Sequence, residues 1–218
     1  MADWGELARQ REERYREGEG RLDADGDADQ HQRQLTRMGN AAGAAGLAHL
    51  MAGDGEAAGW FRRAAERYRQ SWEHAPPGSW GRPIGAIKAL ILAGDWDAAE
   101  EAARWPLDAG AADAESPIGR YAAGLALLVL GRDGEARRIA STIRDREDFP
   151  PAVADALTTL AAEDRAGYLV AVEDVLDSFE QRDEYLEDMP VADTVLVLQA
   201  LAARRDLTVD LPPSELLP

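Results

Sequence analysis

Apolar positions recur along this chain at spacings of three and four, the pattern of helices that bury one stripe. Trp4, Leu7, Ala8, Arg11 and Tyr15 share one such stripe, and Asp3 with Glu6 makes a capping box ahead of it. A first helix is therefore predicted over about 3–17. Gly18, Gly20 and Gly26 break it, and Leu22 to Asp29 reads as an acidic loop. A long helix follows over about 29–52, its stripe built on Leu35, Met38, Ala42, Ala45 and Leu50. Gly39, Gly43 and Gly46 weaken it in isolation, so they predict the close approach of a neighbouring helix. The next helix, over 56–74, carries Trp60, Phe61, Ala64, Ala65, Tyr68 and Trp72, and Pro76-Pro77-Gly78 ends it.

The same logic predicts helices from Ser79, taken as an N-cap, to Ala93, and from Asp97 to Trp105, where Pro106 stops the chain. Ser116 as cap with Pro117 at the first helical position opens a helix to Leu130, and Glu135 to about Asp145 is its partner. Phe149-Pro150-Pro151 punctuates again. Helices over 152–162, 163–182 and 191–205 complete the series, followed by strand-like Leu207-Thr208-Val209 and a tail that Pro212-Pro213 keeps non-helical. Sustained alternation of period two is absent, so no sheet is expected.

A register runs through these helices. Gly53, Gly94 and Gly131 each follow an Ala-rich apolar helix. Alanine stands five residues after each (Ala58, Ala99, Ala136), five before (Ala48, Ala89, Ala126) and eight before (Ala45, Ala86, Ala123). Repeating helix pairs of this kind stack into solenoids that present a surface. The expected fold is all-α, a right-handed α-α superhelix of stacked antiparallel helix pairs. The expected organisation is one helical-repeat domain over 1–218: an N-terminal helix and acidic loop over 1–28, helix pairs over 29–76, 79–110, 116–148 and 150–182, and a capping helix with tail over 190–218. The fourth pair lacks the turn glycine and reads as degenerate or as a cap.

Gly53-Asp54-Gly55-Glu56-Ala57-Ala58, with Trp60 and Phe61 after it, and Gly94-Asp95-Trp96-Asp97-Ala98-Ala99 resemble the inter-helix turn of tetratricopeptide repeats. Gly46 and Gly124 fall where that family takes a small residue in its first helix; Ile87 departs from it. The proline after the second helix is out of register, and the spacings between turns exceed the family's own. The chain thus resembles a diverged tetratricopeptide-like array over about 35–146, which implies protein or peptide binding. The C-terminal part, Glu-Gln-Arg-Asp-Glu-Tyr-Leu from Glu180, Ala200-Leu201-Ala202-Ala203, Leu207-Thr208-Val209-Asp210 and Leu217-Pro218, together with Gly78-Ser79-Trp80, resembles the immunity protein 49 family of bacterial polymorphic toxin systems. That resemblance implies an all-helical protein that neutralises a partner toxin, and no catalytic residues.

Charge changes the picture next. Asp plus Glu number 41 against 24 Lys plus Arg, a net charge of −17 at pH 7, and Lys88 is the one lysine. So acidic a surface repels nucleic acid and anionic lipid, so neither is an expected partner. Acidic excess with almost no lysine resembles the composition of salt-loving archaea, whose molar cytoplasmic salt shortens the Debye length to about 3 Å. Arginine in place of lysine also fits a GC-rich genome. There are no cysteines, which excludes disulfides, thiolate nucleophiles and cysteine metal sites. The polar N-terminus is no signal peptide, and the longest apolar run, Tyr121 to Leu130, is half the length of a membrane span. A cytoplasmic protein is expected.

Candidate chemistry is sparse. Asp23, Asp25, Asp27 and Asp29 suggest a calcium loop, but Ala28 falls where an EF-hand needs glycine and Gln34 where it needs glutamate. His31, His49 and His74 lack metal-ligand spacing, and His49 reads as a hydrogen-bonded packing residue. Gly78-Ser79-Trp80-Gly81 is not a nucleophile elbow. Glu173, Asp177, Glu180 and Glu184 line one helical face, as an all-helical metal-dependent hydrolase would require, but the facing segment 152–162 offers only Asp155. No catalytic residue, cofactor or metal is expected. The first helix of each pair would line a concave face, which nominates Asn40, Trp80, Arg82, Lys88, Arg120 and Tyr121 as a binding set for a protein or peptide. The same residues also suit a packing role, with Trp80 and Tyr121 in the core and the arginines paired to carboxylates.

Overall fold

Three glycines end three helices in one manner. Gly53, Gly94 and Gly131 have φ of 70°, 70° and 68°, the left-handed conformation that glycine adopts without a Cβ clash. Each donates its N–H to the carbonyl three residues back: Leu50 (3.1 Å), Ile91 (3.0 Å) and Leu128 (3.2 Å). The following residue donates to the carbonyl five back: Asp54 to His49, Asp95 to Leu90, Arg132 to Leu127. This is the Schellman arrangement, which satisfies carbonyls that a helix end leaves open.

The computed structural model describes residues 2–22 and 27–218. Among them are ten α-helices and no strand: α1 (Trp4–Gly20), α2 (Ala28–Ala52), α3 (Ala57–Glu73), α4 (Gly81–Leu92), α5 (Trp96–Asp108), α6 (Pro117–Val129), α7 (Asp133–Ser141), α8 (Pro151–Ala161), α9 (Arg165–Glu180) and α10 (Asp193–Ala203). The all-α expectation holds. No described helix is long and apolar enough to cross a membrane. The chain divides into two compact units, each assembled from separate stretches. The first comprises Met1–Asp95, Asp183–Val191 and Glu215–Pro218, and the second Trp96–Arg182 and Ala192–Ser214.

In the first unit α1 packs on α2, α2 on α3 and α3 on α4. The glycines of α2 serve this packing. A methyl group on Gly39 would meet the Tyr68 ring at 2.9 Å, and one on Gly46 would meet Phe61 at 2.6 Å. Gly85 of α4 is as close to Tyr68, at 2.7 Å, so the ring is gripped between α2 and α4. Gly43 differs: its nearest neighbour, Ala64 Cβ, is 3.9 Å away. Trp60 joins three helices. Tyr15 meets it edge-on at 5.5 Å, His49 stacks on it at 6.5 Å, and the Arg63 guanidinium lies 4.6 Å from its centre.

In the second unit α5 packs on α6, α6 on α7, α7 on α8, α8 on α9 and α9 on α10. Ala123, Ala126, Leu157, Leu160, Val172, Val175 and Leu201 are fully buried. Burial of this apolar surface is the main stabilising term. Arg205 ties three elements together: it donates to the Leu128 carbonyl at 2.6 Å, to Asp133 at 2.6 Å and to the Leu201 carbonyl at 3.1 Å.

Several boundaries differ from expectation. The fourth turn has a Schellman stop after all. Glu163, at φ 54°, donates to Leu160, and Asp164 donates to Thr159. Asp164 then caps α9 by accepting from the Gly167 N–H at 3.0 Å. Asp206 (φ 56°) ends α10 in the same way, with Leu207 donating to Ala202 at 3.0 Å. Ser79 is not a cap: Trp80 holds that position without a side-chain bond, and α4 begins at Gly81. Pro106 lies inside α5, which runs on to Asp108. Leu207–Val209 pairs with no strand; side chains fix it instead, Arg165 on the Thr208 carbonyl and Gln199 on that of Val209, both at 2.7 Å. Asp3 caps α1 as expected, accepting from the Glu6 N–H at 2.9 Å, but the Glu6 carboxylate turns to Arg9 and Gln10 rather than closing a box.

Candidate functional site

The six nominated residues have intramolecular surroundings. Asn40 accepts from the Tyr68 hydroxyl at 2.8 Å. Trp80 is buried and tilts against Trp72, 5.9 Å between ring centres. Arg82 reaches into a polar knot: its Nε donates to Ser71 Oγ at 2.8 Å and its terminal nitrogen to the Gln32 amide oxygen. Ser71 is fully buried and donates to the Gln32 carbonyl at 2.7 Å, with Thr36 Oγ1 2.8 Å away. Burial lowers the Arg82 pKa below its ordinary value, and Asp29 acts the other way. Lys88 is half-buried on α4. In the second unit Arg120 donates to the Ala114 carbonyl at 2.8 Å, and Tyr121 is buried against Phe149 at 5.5 Å. Asn40, Trp80, Arg82 and Lys88 thus stand in one compact unit, Arg120 and Tyr121 in the other.

Other sequence candidates are placed as follows. His49 is buried between two carboxylates, Nδ1 at 2.8 Å from Asp54 and Nε2 at 2.8 Å from Glu12. Burial acts to lower the His49 pKa, but the hydrogen bonds to Asp54 and Glu12 outweigh it and hold the value above 6.5. Asp23 and Asp25 lie outside the described residues. Helix α9 stops at Glu180, so Glu184 leaves the acidic face of Glu173 and Asp177, and Glu180 accepts from Ser214 Oγ at 2.6 Å. Among the described residues no three His, Asp or Glu side chains converge as metal ligands.

Two hollows of the first unit lie along the seam of α1 and α2, and none of the nominated set is among their described lining residues. One, of about 400 Å³, is lined by Arg21, Leu22, Asp27, Gln30, His31, Arg33, Gln34 and Arg37. The other, of about 250 Å³, is lined by Arg14, Gly18, Arg21, Gln34, Arg37 and Met38. They share Arg21, Gln34 and Arg37, and so form one trough. Close approach at Gly18 shapes its floor, since a methyl there would lie 2.6 Å from Met38 Cγ. Gln34 spans the seam by donating to the Gly18 carbonyl at 3.2 Å.

Arginines gather along the trough in a protein of net charge −17. Among the described residues that line it are four arginines and one acidic residue, Asp27. Arg14 pairs with Glu187 at 2.9 Å, Arg21 with Glu17 at 2.8 Å and Arg33 with Asp29 at 2.8 Å. Arg37 has neither a hydrogen bond nor an ion pair among the described residues and is exposed. The Arg21 and Arg33 pairs are open to solvent, and such pairs contribute about 0–1 kcal/mol, so an incoming anion displaces them at small cost. Glu187 differs. Its side chain is 9% exposed, its backbone is left-handed at φ 56°, and it holds Arg14 at the trough's edge. The spacing of Arg33 and Arg37 by four places that pair on one face of α2, whereas Arg21 follows the last residue of α1; which seam they share is not in the spacing.

Comparisons with protein-family models, with curated proteins and with solved structures give no match.

Proposed function

We propose that this protein is a non-enzymatic binding module, a short tetratricopeptide-like array of helix pairs that engages a protein or peptide. The observation that supports this reading is the recurrence of one helix stop. Gly53, Gly94 and Gly131 share a left-handed conformation and one hydrogen-bond pattern, each five residues after a buried alanine. Iterated helix pairs present long side-by-side faces that suit extended partners. The charge favours a partner chosen by its local complementarity rather than by general attraction. The test is affinity capture from the source cells at high salt with chemical cross-linking. One reproducible protein partner at fixed stoichiometry is expected; repeated capture with none overturns the reading.

A further inference from the structure

We propose that the α1–α2 trough is the docking site for an acidic, extended peptide segment, with Arg33 and Arg37 as its principal contacts. The inference rests on the binding-module reading and names the chemistry of the partner. Charge complementarity comes first: the trough gathers Arg14, Arg21, Arg33 and Arg37 on a chain otherwise dominated by carboxylates. Spacing decides the class of anion. Arg33 and Arg37 are one helical turn apart, about 6 Å along the axis. Alternate side chains of an extended strand lie about 6.6 Å apart on one face. Arginines in a row therefore match carboxylates in a row, whereas a compact phosphate needs donors that converge on one point. Gln30, exposed in the lining, adds an amide that can serve a peptide backbone.

Two features prepare the trough. Arg37 has no internal carboxylate to give up among the described residues, and Arg33 shares its own, Asp29, in a pair that is 65% exposed on the arginine side. Glu187 forms an ion pair with Arg14 at the margin, at 2.9 Å. The remaining negative charge opposes an acidic peptide most at low ionic strength; at about 0.15 M salt the Debye length of about 8 Å screens the distant carboxylates more than the direct contacts.

The experiment measures fluorescence anisotropy of a short labelled peptide alternating Asp and Ser, in about 0.15 M KCl. The full-length protein is titrated, with inorganic phosphate and an Asn-Ser peptide as separate probes. Saturable binding of the Asp-Ser peptide alone is expected. The exposed double variant Arg33→Glu/Arg37→Glu should bind roughly tenfold or more weakly. Arg137→Glu, on an exposed position of α7, should bind as the parent does, and circular dichroism should show both variants folded. No peptide binding by the parent, equal binding of the Asn-Ser peptide, phosphate binding as tight as the peptide's, or an unaffected double variant each overturns the proposal. Capture of the cellular partner by Arg33→Glu/Arg37→Glu would leave the module reading standing and remove the trough from it. Failure of parent and variant alike to capture a partner would remove the module reading itself.

Discussion

Phe61 lies so close over Gly46 that a methyl group on the glycine would stand 2.6 Å from the ring. Helix α3 can approach α2 there because no side chain intervenes. Gly46→Ala must push a fully buried ring out of place, at a cost of about 1–3 kcal/mol. Gly39→Ala strikes Tyr68 and should behave similarly. Gly43→Ala, three residues away, meets only Ala64 at 3.9 Å and should gain about 0.5–1 kcal/mol of helix propensity. Urea unfolding of the three variants separates these outcomes, and equal effects would show that the ring contacts do not govern the helix spacing.

Glu163 occupies a left-handed position that glycine fills at the other three turns. An L-residue there costs roughly 1 kcal/mol. Because its side chain is exposed, Glu163→Gly should raise stability by about that amount. Gly53→Ala and Gly131→Ala should lower it by a similar amount. Chemical denaturation midpoints at constant slope check all three.

The Glu12–His49–Asp54 arrangement predicts a pH dependence. His49 titrates above its unfolded value of about 6.5, so its contribution is complete below that pH and is lost as pH rises through the folded pKa. Asp54 is held below its ordinary value, first by the His49 hydrogen bond and then by the Glu56 N–H. Its contribution is present above about pH 4 and is lost as pH falls through its folded pKa. Stability should therefore decline as pH rises beyond about 6.5, and His49→Gln should flatten that limb. NMR titration of the His49 ring should give a midpoint above that of His in an unfolded peptide.

Arg82, Ser71, Gln32 and Thr36 form one buried polar knot, and its members are interdependent. Arg82→Met leaves the Gln32 amide oxygen, on a residue only 2% exposed, without its donor. A loss of about 1–3 kcal/mol is expected in thermal or urea unfolding. Arg82→Lys should recover part of it, since one ammonium cannot reproduce both contacts.

A net charge of −17 predicts that the melting temperature rises between about 0.1 M and 2 M KCl, as screening relieves self-repulsion. A flat response would remove the argument for a salt-adapted surface.

The helices were legible because their apolar stripes are, and Gly53, Gly94 and Gly131 were legible because a left-handed residue at a helix end selects glycine. Glu163 breaks that rule, so its turn had no compositional signal, although Asp164 with Gly167 three residues on marks the start of α9. Pro106 promised a stop and did not deliver one at once: it gives up its own bond to the carbonyl four residues back, and α5 runs only two residues further, to Asp108. The nominated residues were placed on the right helices without their partners. Tyr68 for Asn40, Gln32 and Ser71 for Arg82, and Phe149 for Tyr121 all come from other segments, and tertiary pairing is not written in local spacing. The trough was hidden for the same reason: Arg33 and Arg37 share a face of their own helix, but the seam that sets them beside Arg14 and Arg21 depends on Gly18 meeting Met38.

Neither compact unit is a contiguous stretch of chain, and this bears on how the protein is made. The first needs Asp183–Val191, whose Glu187 pairs with Arg14, and the second needs α10 and the turn after it, where Arg205 binds the end of α6. While a ribosome is still elongating through residue 182, both units lack part of the surface they pack against. A fragment ending at Asp95 would emerge lacking the clasp on Arg14, so completion of folding belongs to the moments after the last helices leave the exit tunnel.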